Sequence, residues 1–234
     1  MRTIYNSNRF WEEKEHHLKR GKKIWSWLAG TVLLPMLVVG GLMLYQVKST
    51  RGEKIPPYAN PQTALLVIDI QEDYTGPQAR KPYHDAERIV AATNALLAQA
   101  RQRGMVVVYI ENVIDNRLLA FFTGGINAPG APGTEMDRRL LAVPGAITLT
   151  KKRADAFSNP ELDGFLRAHR VNRVLLTGLD AAYCVNATAG GALNRGYQVT
   201  LFPEAIATES GKSLSKLAAE WREAGAQVMA GSEL

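Results

Sequence analysis

The sequence contains almost no cysteine, and this and other absences limit the functions open to it. Cys184 is the only cysteine among 234 residues, which excludes a disulfide within the chain. A lone thiol is either a small core residue or a reactive group. No glycine-rich nucleotide motif follows the first apolar run, neither G-x-G-x-x-G nor G-x-x-x-x-G-K-[ST]. A nucleotide-binding fold of the usual kind is therefore not predicted.

The formal net charge is +6, but most of the chain has no excess of positive charge. Residues 1–24 carry seven Lys and Arg against three Glu, and residues 46–60 carry three against one. Residues 61–234 carry 18 charges of each sign. Because the larger part of the chain is balanced, no nucleic-acid partner is predicted for it.

Charge of either sign is missing from residues 24–47. The stretch IWSWLAGTVLLPMLVVGGLMLY, residues 24–45, would form a helix about 33 Å long, enough to cross the hydrocarbon core of a bilayer. We therefore predict a transmembrane helix over 24–45 with the lipid bilayer as its partner. A buried core helix and a cleaved signal peptide are the alternatives, although the apolar run is longer than a usual signal sequence and no A-x-A site follows it.

The charges around this stretch predict its orientation and the domain organisation. The basic arm over 1–23 ends in KRGKK and is more basic than the following flank. The positive-inside rule then predicts a single-pass membrane protein with a cytoplasmic N-terminus and its main domain on the far, periplasmic or extracytoplasmic side. Residues 46–62 contain a glycine and three prolines and are predicted to be a tether. The domain is predicted over 63–234.

Strands and helices alternate in the domain. Apolar runs rich in β-branched residues predict strands over 63–70, 105–113, 146–151, 173–180, 197–205 and 226–230. Helical periodicity and capping residues predict helices over 86–104, 159–170, 184–196 and 210–225. This alternation predicts a three-layer α/β/α fold with a mostly parallel sheet of about six strands.

Three residues with useful chemistry lie at predicted strand ends. Asp69 is near the end of the first strand, Lys151 closes the third and Cys184 follows the fourth. The carboxyl ends of parallel strands meet at one edge of a sheet, where a carboxylate could accept the thiol proton and an ammonium could favour a thiolate. The residue types alone leave another interpretation open, namely a core cysteine, a turn-capping aspartate and a solvated lysine.

Five segments of the domain resemble the isochorismatase-like cysteine hydrolases. In chain order they are VIDIQEDY (67–74), APGTEMDRRL (131–140), TKKRADAF (150–157), GLDAAYCVNATA (178–189) and NRGYQVTLFPEAIAT (194–208). The resemblance implies a hydrolase that cleaves a C–N bond of a small amide, ureide or carbamoyl compound. It also implies a homo-oligomer. Nicotinamidases of this family hold a metal through histidines after the second strand, and residues 111–122 contain none; we therefore expect no metal and no cofactor.

The resemblance also assigns roles to residues. Cys184 is implied as the nucleophile, Asp69 as the general base and Lys151 as the group that tunes the thiolate. The backbone amides of Asp180 and Cys184 are implied as the oxyanion hole, with a cis peptide bond between Leu179 and Asp180. The residues expected to line the substrate pocket are Gln71, Tyr74, Phe157 and Ala181.

The chain departs from the family pattern at three of these places. Asp155 replaces the serine of S-A-F, Ala181 replaces a threonine, and Asp180 adds a carboxylate close to the thiol. Extra negative charge disfavours a thiolate, so two further functions stay open. One is an inactive module that binds a small molecule, and the other is a vinyl-ether hydrolase of the isochorismate type that does not need the cysteine.

Overall fold

The computed structural model describes residues 34–116, 120–121 and 123–234. The predicted basic arm over 1–23 and the first part of the predicted transmembrane helix, 24–33, lie outside the described residues. The chain divides into two compact units, Met1–Tyr45 and Gln46–Leu234.

The first helix, α1, runs from Leu34 to Val47 and carries apolar side chains on all sides. At 1.5 Å per residue it is about 21 Å long. Its exposed apolar side chains are Met36, Leu37, Val38, Val39, Leu42, Met43, Leu44, Tyr45 and Val47. Within the part of the chain that the structure describes, no helix combines the length and the apolar character needed to cross a membrane.

Six strands alternate with helices in the second unit. The strands are β1 (Gln62–Ile68), β2 (Val106–Asn112), β3 (Ile147–Lys151), β4 (Val171–Gly178), β5 (Gln198–Ile206) and β6 (Gln227–Val228). The helices are α2 (Ala86–Gln102), α3 (Pro160–Ala168), α4 (Asn186–Asn194) and α5 (Leu214–Glu223). The strands form one sheet in the order β3-β2-β1-β4-β5-β6, and every neighbouring pair is parallel. The predicted six-stranded parallel sheet is confirmed.

Side chains that alternate along each strand build two separate cores, one on each face of the sheet. In β1, Leu65 and Val67 join one core, while Leu66 and Ile68 join the other, as the two-residue period of a strand requires. Helix α2 covers the first face, and helices α3, α4 and α5 cover the second. The predicted three-layer α/β/α fold is confirmed.

The chain after β4 differs from the predicted helix over 184–196. A π-helical turn, Ala181–Val185, comes first, and α4 begins only at Asn186. The turn begins early because the Asp180 side chain accepts a hydrogen bond from the Ala182 amide, as an N-cap residue does. Cys184 therefore lies inside this π-helical turn and not at the first residue of an α-helix.

Residues 46–62, predicted to be a tether, lie against the domain instead. The Ile55 amide donates to the Arg195 carbonyl at 2.9 Å, and the Gln62 amide donates to the Arg170 carbonyl at 2.9 Å. The Asp155 carboxylate accepts a hydrogen bond from the Thr50 amide. Backbone groups that the domain satisfies in this way hold the segment in place.

Gly178, the last residue of β4, permits the close approach of β4 to β1. Its φ is +123°, and a Cβ there would lie 1.9 Å from the Ile68 carbonyl oxygen. We expect Gly178→Ala to lower the free energy of unfolding by about 3 kcal/mol or more. Alanine is strained at this positive φ, and the atoms that its Cβ would meet belong to the backbone of β1, which cannot move aside easily. Chemical denaturation measures this loss.

Gly164→Ala is the matched control, since Gly164 lies exposed in α3 with open space around the new Cβ. We expect this change to raise the free energy of unfolding by about 0.5–1 kcal/mol. Equal effects of the two substitutions would contradict the close approach of β1 and β4.

Candidate active site

Asp69, Lys151 and Cys184 meet at the carboxyl edge of the sheet. The Lys151 Nζ atom lies 2.8 Å from Asp69 Oδ2 and 3.2 Å from Cys184 Sγ. Lys151 is 1% exposed and Asp69 is 4% exposed, while the thiol is partly accessible. The ammonium therefore bridges a buried carboxylate and a sulfur atom that a small molecule can reach.

The order of the strands explains why a lysine occupies this position. Asp69 directly follows β1, and Lys151 ends β3, with β2 between them. Two strand spacings amount to about 10 Å, and only a long side chain crosses that distance. Asp69 has φ +55°, and its amide donates to the Ile110 carbonyl at 2.9 Å. This backbone conformation directs the chain out of β1 next to the end of β2.

The tight turn after β4 positions the thiol. The peptide bond between Leu179 and Asp180 is cis, as the resemblance implies. Four amides of the turn already donate to protein acceptors, and they belong to Ala181, Ala182, Tyr183 and Val185. The oxyanion hole expected from the amides of Asp180 and Cys184 stays a prediction.

The Asp180 carboxylate is used for structure. It accepts hydrogen bonds from the Ala182 amide at 2.8 Å, the Glu209 amide at 2.8 Å and the Thr208 hydroxyl at 2.9 Å. The Tyr83 hydroxyl donates to it at 3.2 Å. These four donors occupy both oxygen atoms of the carboxylate. Asp180 thus ties the turn that contains Cys184 to the segment that follows β5.

Burial and charge set the protonation of the three residues. Burial raises the pKa of the Asp69 carboxyl, and the Lys151 ammonium opposes this shift. The pKa of the Cys184 thiol is raised to about 12, because burial and the Asp69 charge raise it more than the Lys151 ammonium lowers it. Burial alone would lower the pKa of Lys151, but the Asp69 charge raises it above its ordinary value. Burial of the site therefore disfavours a Cys184 thiolate, and the Lys151 ammonium opposes this effect.

A protonated thiol predicts slow alkylation. We expect iodoacetamide to label native Cys184 at pH 7.5 at least tenfold more slowly than the same residue in urea, since an unfolded cysteine with a pKa of about 8.5 holds more thiolate. The native rate should rise as the pH approaches 12, as more of the thiol becomes deprotonated. Labelling followed by intact mass spectrometry gives both rates. Native labelling that is faster than labelling in urea would contradict the protonated resting state.

A cavity of about 450 Å³ opens over Cys184. Its lining residues are Gln46, Val47, Asn112, Val113, Ile114, Asp115, Asn116, Lys152, Arg153, Ala154, Tyr183 and Cys184. Most of them directly follow β2 and β3, where the carboxyl ends of the strands place a ligand. Residues 117–119 and 122, which follow this part of the lining along the chain, lie outside the described residues.

The lining of this cavity does not include the four residues expected at the pocket, Gln71, Tyr74, Phe157 and Ala181, and their contact with substrate stays a prediction. Gln71 is completely buried, and its amide group binds the backbone of Asn112 and Thr134. Phe157 and Ala181 are core residues, 3% and 0% exposed.

Tyr74, the fourth expected pocket residue, lies close to the reactive groups. Burial and the Asp69 charge raise the pKa of its hydroxyl to about 12. Its ring stacks edge-on against Tyr83 at 5.9 Å, and its hydroxyl accepts a hydrogen bond from the Asn127 amide group at 2.7 Å. The Tyr74 hydroxyl therefore stays protonated and uncharged near the buried Asp69 carboxylate.

Most residues that line the cavity were not predicted from the sequence. Lys152 and Asp115 form an exposed ion pair at 2.6 Å on its rim, and Tyr183 contributes an exposed ring. Their positions directly after β2, after β3 and before Cys184 were the available signal. In the described ranges, no three His, Cys, Asp or Glu side chains are grouped closely enough to hold a metal ion.

The chain is similar to several hydrolases and amidases. It is 33% identical over 148 residues to streptothricin hydrolase of Streptomyces noursei. The matched region covers 63% of this chain and 55% of that protein. It is 28% identical over 160 residues to N-carbamoylsarcosine amidase of an Arthrobacter species, which covers 64% of this chain and 60% of that protein. The chain therefore spans little more than half the length of these two relatives.

The fold and the sequence agree on the same family. The structure of N-carbamoylsarcosine amidase from Thermoplasma acidophilum superposes with a TM-score of 0.66 at 27% identity, covering 74% of this chain and 98% of that one. The isochorismatase domain matches residues 63–233. Because this match includes the whole sheet and the three residues at its edge, the chain belongs to the isochorismatase family.

Proposed function

We propose that this protein is a cysteine hydrolase that cleaves the C–N bond of a small amide, ureide or carbamoyl compound. The buried contact of Lys151 with both Asp69 and Cys184 is the observation that carries the proposal. Relatives that bear the names hydrolase and amidase support the same reaction class. The partner is a small molecule that fits the cavity over the thiol.

In the first half of the reaction, Cys184 Sγ attacks the carbonyl carbon of the substrate while Asp69 accepts the thiol proton. The Oδ1 atom of Asp69 is buried and has no hydrogen-bond partner among the described residues, so it is free to take that proton. Lys151 stabilises the sulfur as negative charge develops. The amides of Asp180 and Cys184 donate to the oxyanion.

The tetrahedral adduct then expels the nitrogen, and Asp69 returns the proton to that leaving group. The product at this stage is an acyl or carbamoyl thioester on Cys184. Asp69, again a carboxylate, removes a proton from a water molecule that attacks the thioester. The C–S bond then breaks, Asp69 gives its proton to the sulfur, and the acid or carbamate leaves, so one water is consumed for each C–N bond broken.

A screen of small amides, ureides and carbamates tests this proposal. We expect ammonia or amine release from at least one compound class by the purified full chain in detergent, measured by a coupled ammonia assay. The test protein should also retain the thermal melting transition of a folded domain. A folded protein that releases no nitrogen from any of the three classes overturns the proposal.

We also propose that residues 24–45 anchor the protein as a single-pass membrane helix, with a cytoplasmic N-terminus and the hydrolase domain on the far side. The charge-free run and the exposed apolar side chains of its described part support this. Carbonate extraction of membranes tests the anchor, and N-terminal sequencing tests whether the segment is retained. Release of the protein by carbonate, or a mature N-terminus after residue 45, overturns it.

The orientation and the assembly have separate tests. Protease added to spheroplasts should digest the domain while residues 1–23 stay protected, and the reverse pattern contradicts the predicted orientation. A homo-oligomer, which the resemblance implies, should give a multiple of 25.7 kDa in light scattering after correction for detergent.

A further inference from the structure

A short segment outside the isochorismatase domain reaches the catalytic cavity. The domain match begins at residue 63, yet Gln46 and Val47 belong to the lining of the cavity that Cys184 also lines. We call residues 46–55 the strap. We propose that the strap completes the substrate pocket and that Val47 selects substrates with an apolar group, an inference that rests on the proposed hydrolase function.

Hydrogen bonds fix the strap beside the β3 end of the site. The Gln46 carbonyl accepts from the Ala154 amide at 3.0 Å. The Lys48 carbonyl accepts from Arg153 Nη2 at 3.1 Å. Both donors belong to the segment directly after Lys151. The first residues of the strap are therefore bonded to the chain that follows the end of β3.

Asp155 holds the middle of the strap. Its Oδ2 atom accepts from the Thr50 amide at 2.6 Å, and its Oδ1 atom accepts from the Phe157 amide at 2.9 Å. Asp155 is completely buried, and it stands where the family pattern has a serine. A serine side chain has one oxygen atom, whereas the two carboxylate oxygens of Asp155 each accept from a different segment, so this departure from the pattern serves the strap.

Arg195 fastens the strap from the other side. Its Nη1 atom donates to the Thr50 hydroxyl at 3.0 Å, and Asn194 Nδ2 donates to the Thr50 carbonyl at 2.8 Å. The Arg195 side chain is 5% exposed. Buried polar groups with several partners favour a single arrangement. These bonds therefore hold the strap, and with it Val47, in one position at the cavity.

The chemistry of the cavity indicates the substrate class. Val47, Val113 and Ile114 give it an apolar wall, and the Asp115–Lys152 ion pair gives it a polar rim. Val47 is 42% exposed, so it offers apolar surface that a ligand can cover. The pocket therefore fits a C–N compound whose carbonyl lies at the thiol and whose side group is apolar.

Protection of Cys184 from alkylation tests the specificity without relying on turnover. The probes are acetamide and hexanamide, and the readout is the amide concentration that halves iodoacetamide labelling at pH 9. We expect hexanamide to protect wild-type protein at lower concentration than acetamide. In Val47→Ser, hexanamide protection should weaken about tenfold relative to acetamide protection measured on the same variant.

A second pair of variants tests the strap itself. Asp155→Ser keeps the local cap on Phe157 but loses the bond to Thr50, so trypsin should cut at Arg51 or Lys54 at least tenfold faster, and hexanamide protection should weaken as in Val47→Ser. Glu53→Ala is the control, since this exposed residue uses its backbone carbonyl to contact Arg167. It should change neither readout.

The outcomes separate this inference from the proposed function. Equal protection by both amides in wild-type protein, or unchanged hexanamide protection in Val47→Ser, overturns the inference. Absence of nitrogen release in the substrate screen overturns the hydrolase proposal, whatever the protection data show. Unchanged trypsin cleavage in Asp155→Ser overturns the role of Asp155.

Discussion

Cys184→Ala is expected to lower kcat/KM for C–N bond cleavage by about 10⁴-fold or more, because no nucleophile remains to form the thioester. The thiol is the one group of the three that lines the cavity, and the methyl group of alanine fits the space it leaves. Steady-state release of ammonia or amine measures the loss. A thermal melt at an unchanged temperature shows that the effect is chemical.

Comparison with Asp69→Asn distinguishes the functions that the sequence left open. A cysteine hydrolase loses activity in both variants, because Asp69 moves the proton in each half of the reaction. A vinyl-ether hydrolase of the isochorismate type keeps its activity in Cys184→Ala and loses it in Asp69→Asn. A binding module shows saturable ligand binding with no turnover in wild-type protein.

Lys151→Met is the second change with a large expected effect. Removal of the Lys151 ammonium leaves the Asp69 carboxylate buried without a cation. The loss of such a partner typically costs about 3–5 kcal/mol of unfolding free energy. We also expect kcat/KM at pH 7 to fall by about 10³-fold, because the loss of the ammonium raises the pKa values of both Asp69 and Cys184. Denaturant titration and steady-state kinetics give the two numbers.

The pH profile of Lys151→Met shows whether electrostatics cause the loss. In wild-type protein the acid limb of kcat/KM should lie above the ordinary carboxyl pKa of 3.8, because burial raises the pKa of Asp69. The base must be ionised, so activity rises with pH through this limb. Without Lys151 the limb should move to still higher pH, and a limb that stays in place contradicts the role assigned to the ammonium.

Lys152→Met is the matched control for both measurements. Lys152 is the next residue along the chain, but its side chain is 67% exposed and pairs with Asp115 on the surface. Surface ion pairs contribute about 0–1 kcal/mol, so the free energy of unfolding should change little. The acid limb should also stay in place. Equal losses from the two lysine substitutions would contradict the bridge between Asp69 and Cys184.

The departures from the family pattern gain their meaning from contacts far along the chain. From the sequence, the negative charge of Asp180 was expected to disfavour a thiolate at Cys184. In the structure its carboxylate accepts hydrogen bonds from four donors of the surrounding segments. Asp155 joins the strap across 105 positions of sequence. Neither role is visible in a motif, because a motif records residue types and not the direction of a side chain.

The sequence by itself determined the layers of this fold and the edge where the chemistry lies. Periodicity of two residues in the strands and of 3.6 in the helices is a local property, and the parallel sheet that follows from it brings the ends of β1, β3 and β4 to one side. Asp69, Lys151 and Cys184 were therefore predicted together from their places in the pattern.

Only the tertiary structure decided how these residues are used. Asp69 and Lys151 are 82 positions apart, and the lysine meets the carboxylate because β2 separates their strands by a distance that its side chain spans. Contacts of the same kind bury Gln71 against the backbone of Asn112 and Thr134 and bring Gln46 and Val47 to the cavity over Cys184. Burial and the direction of a side chain depend on what the rest of the chain packs around it, and that information is not local in sequence.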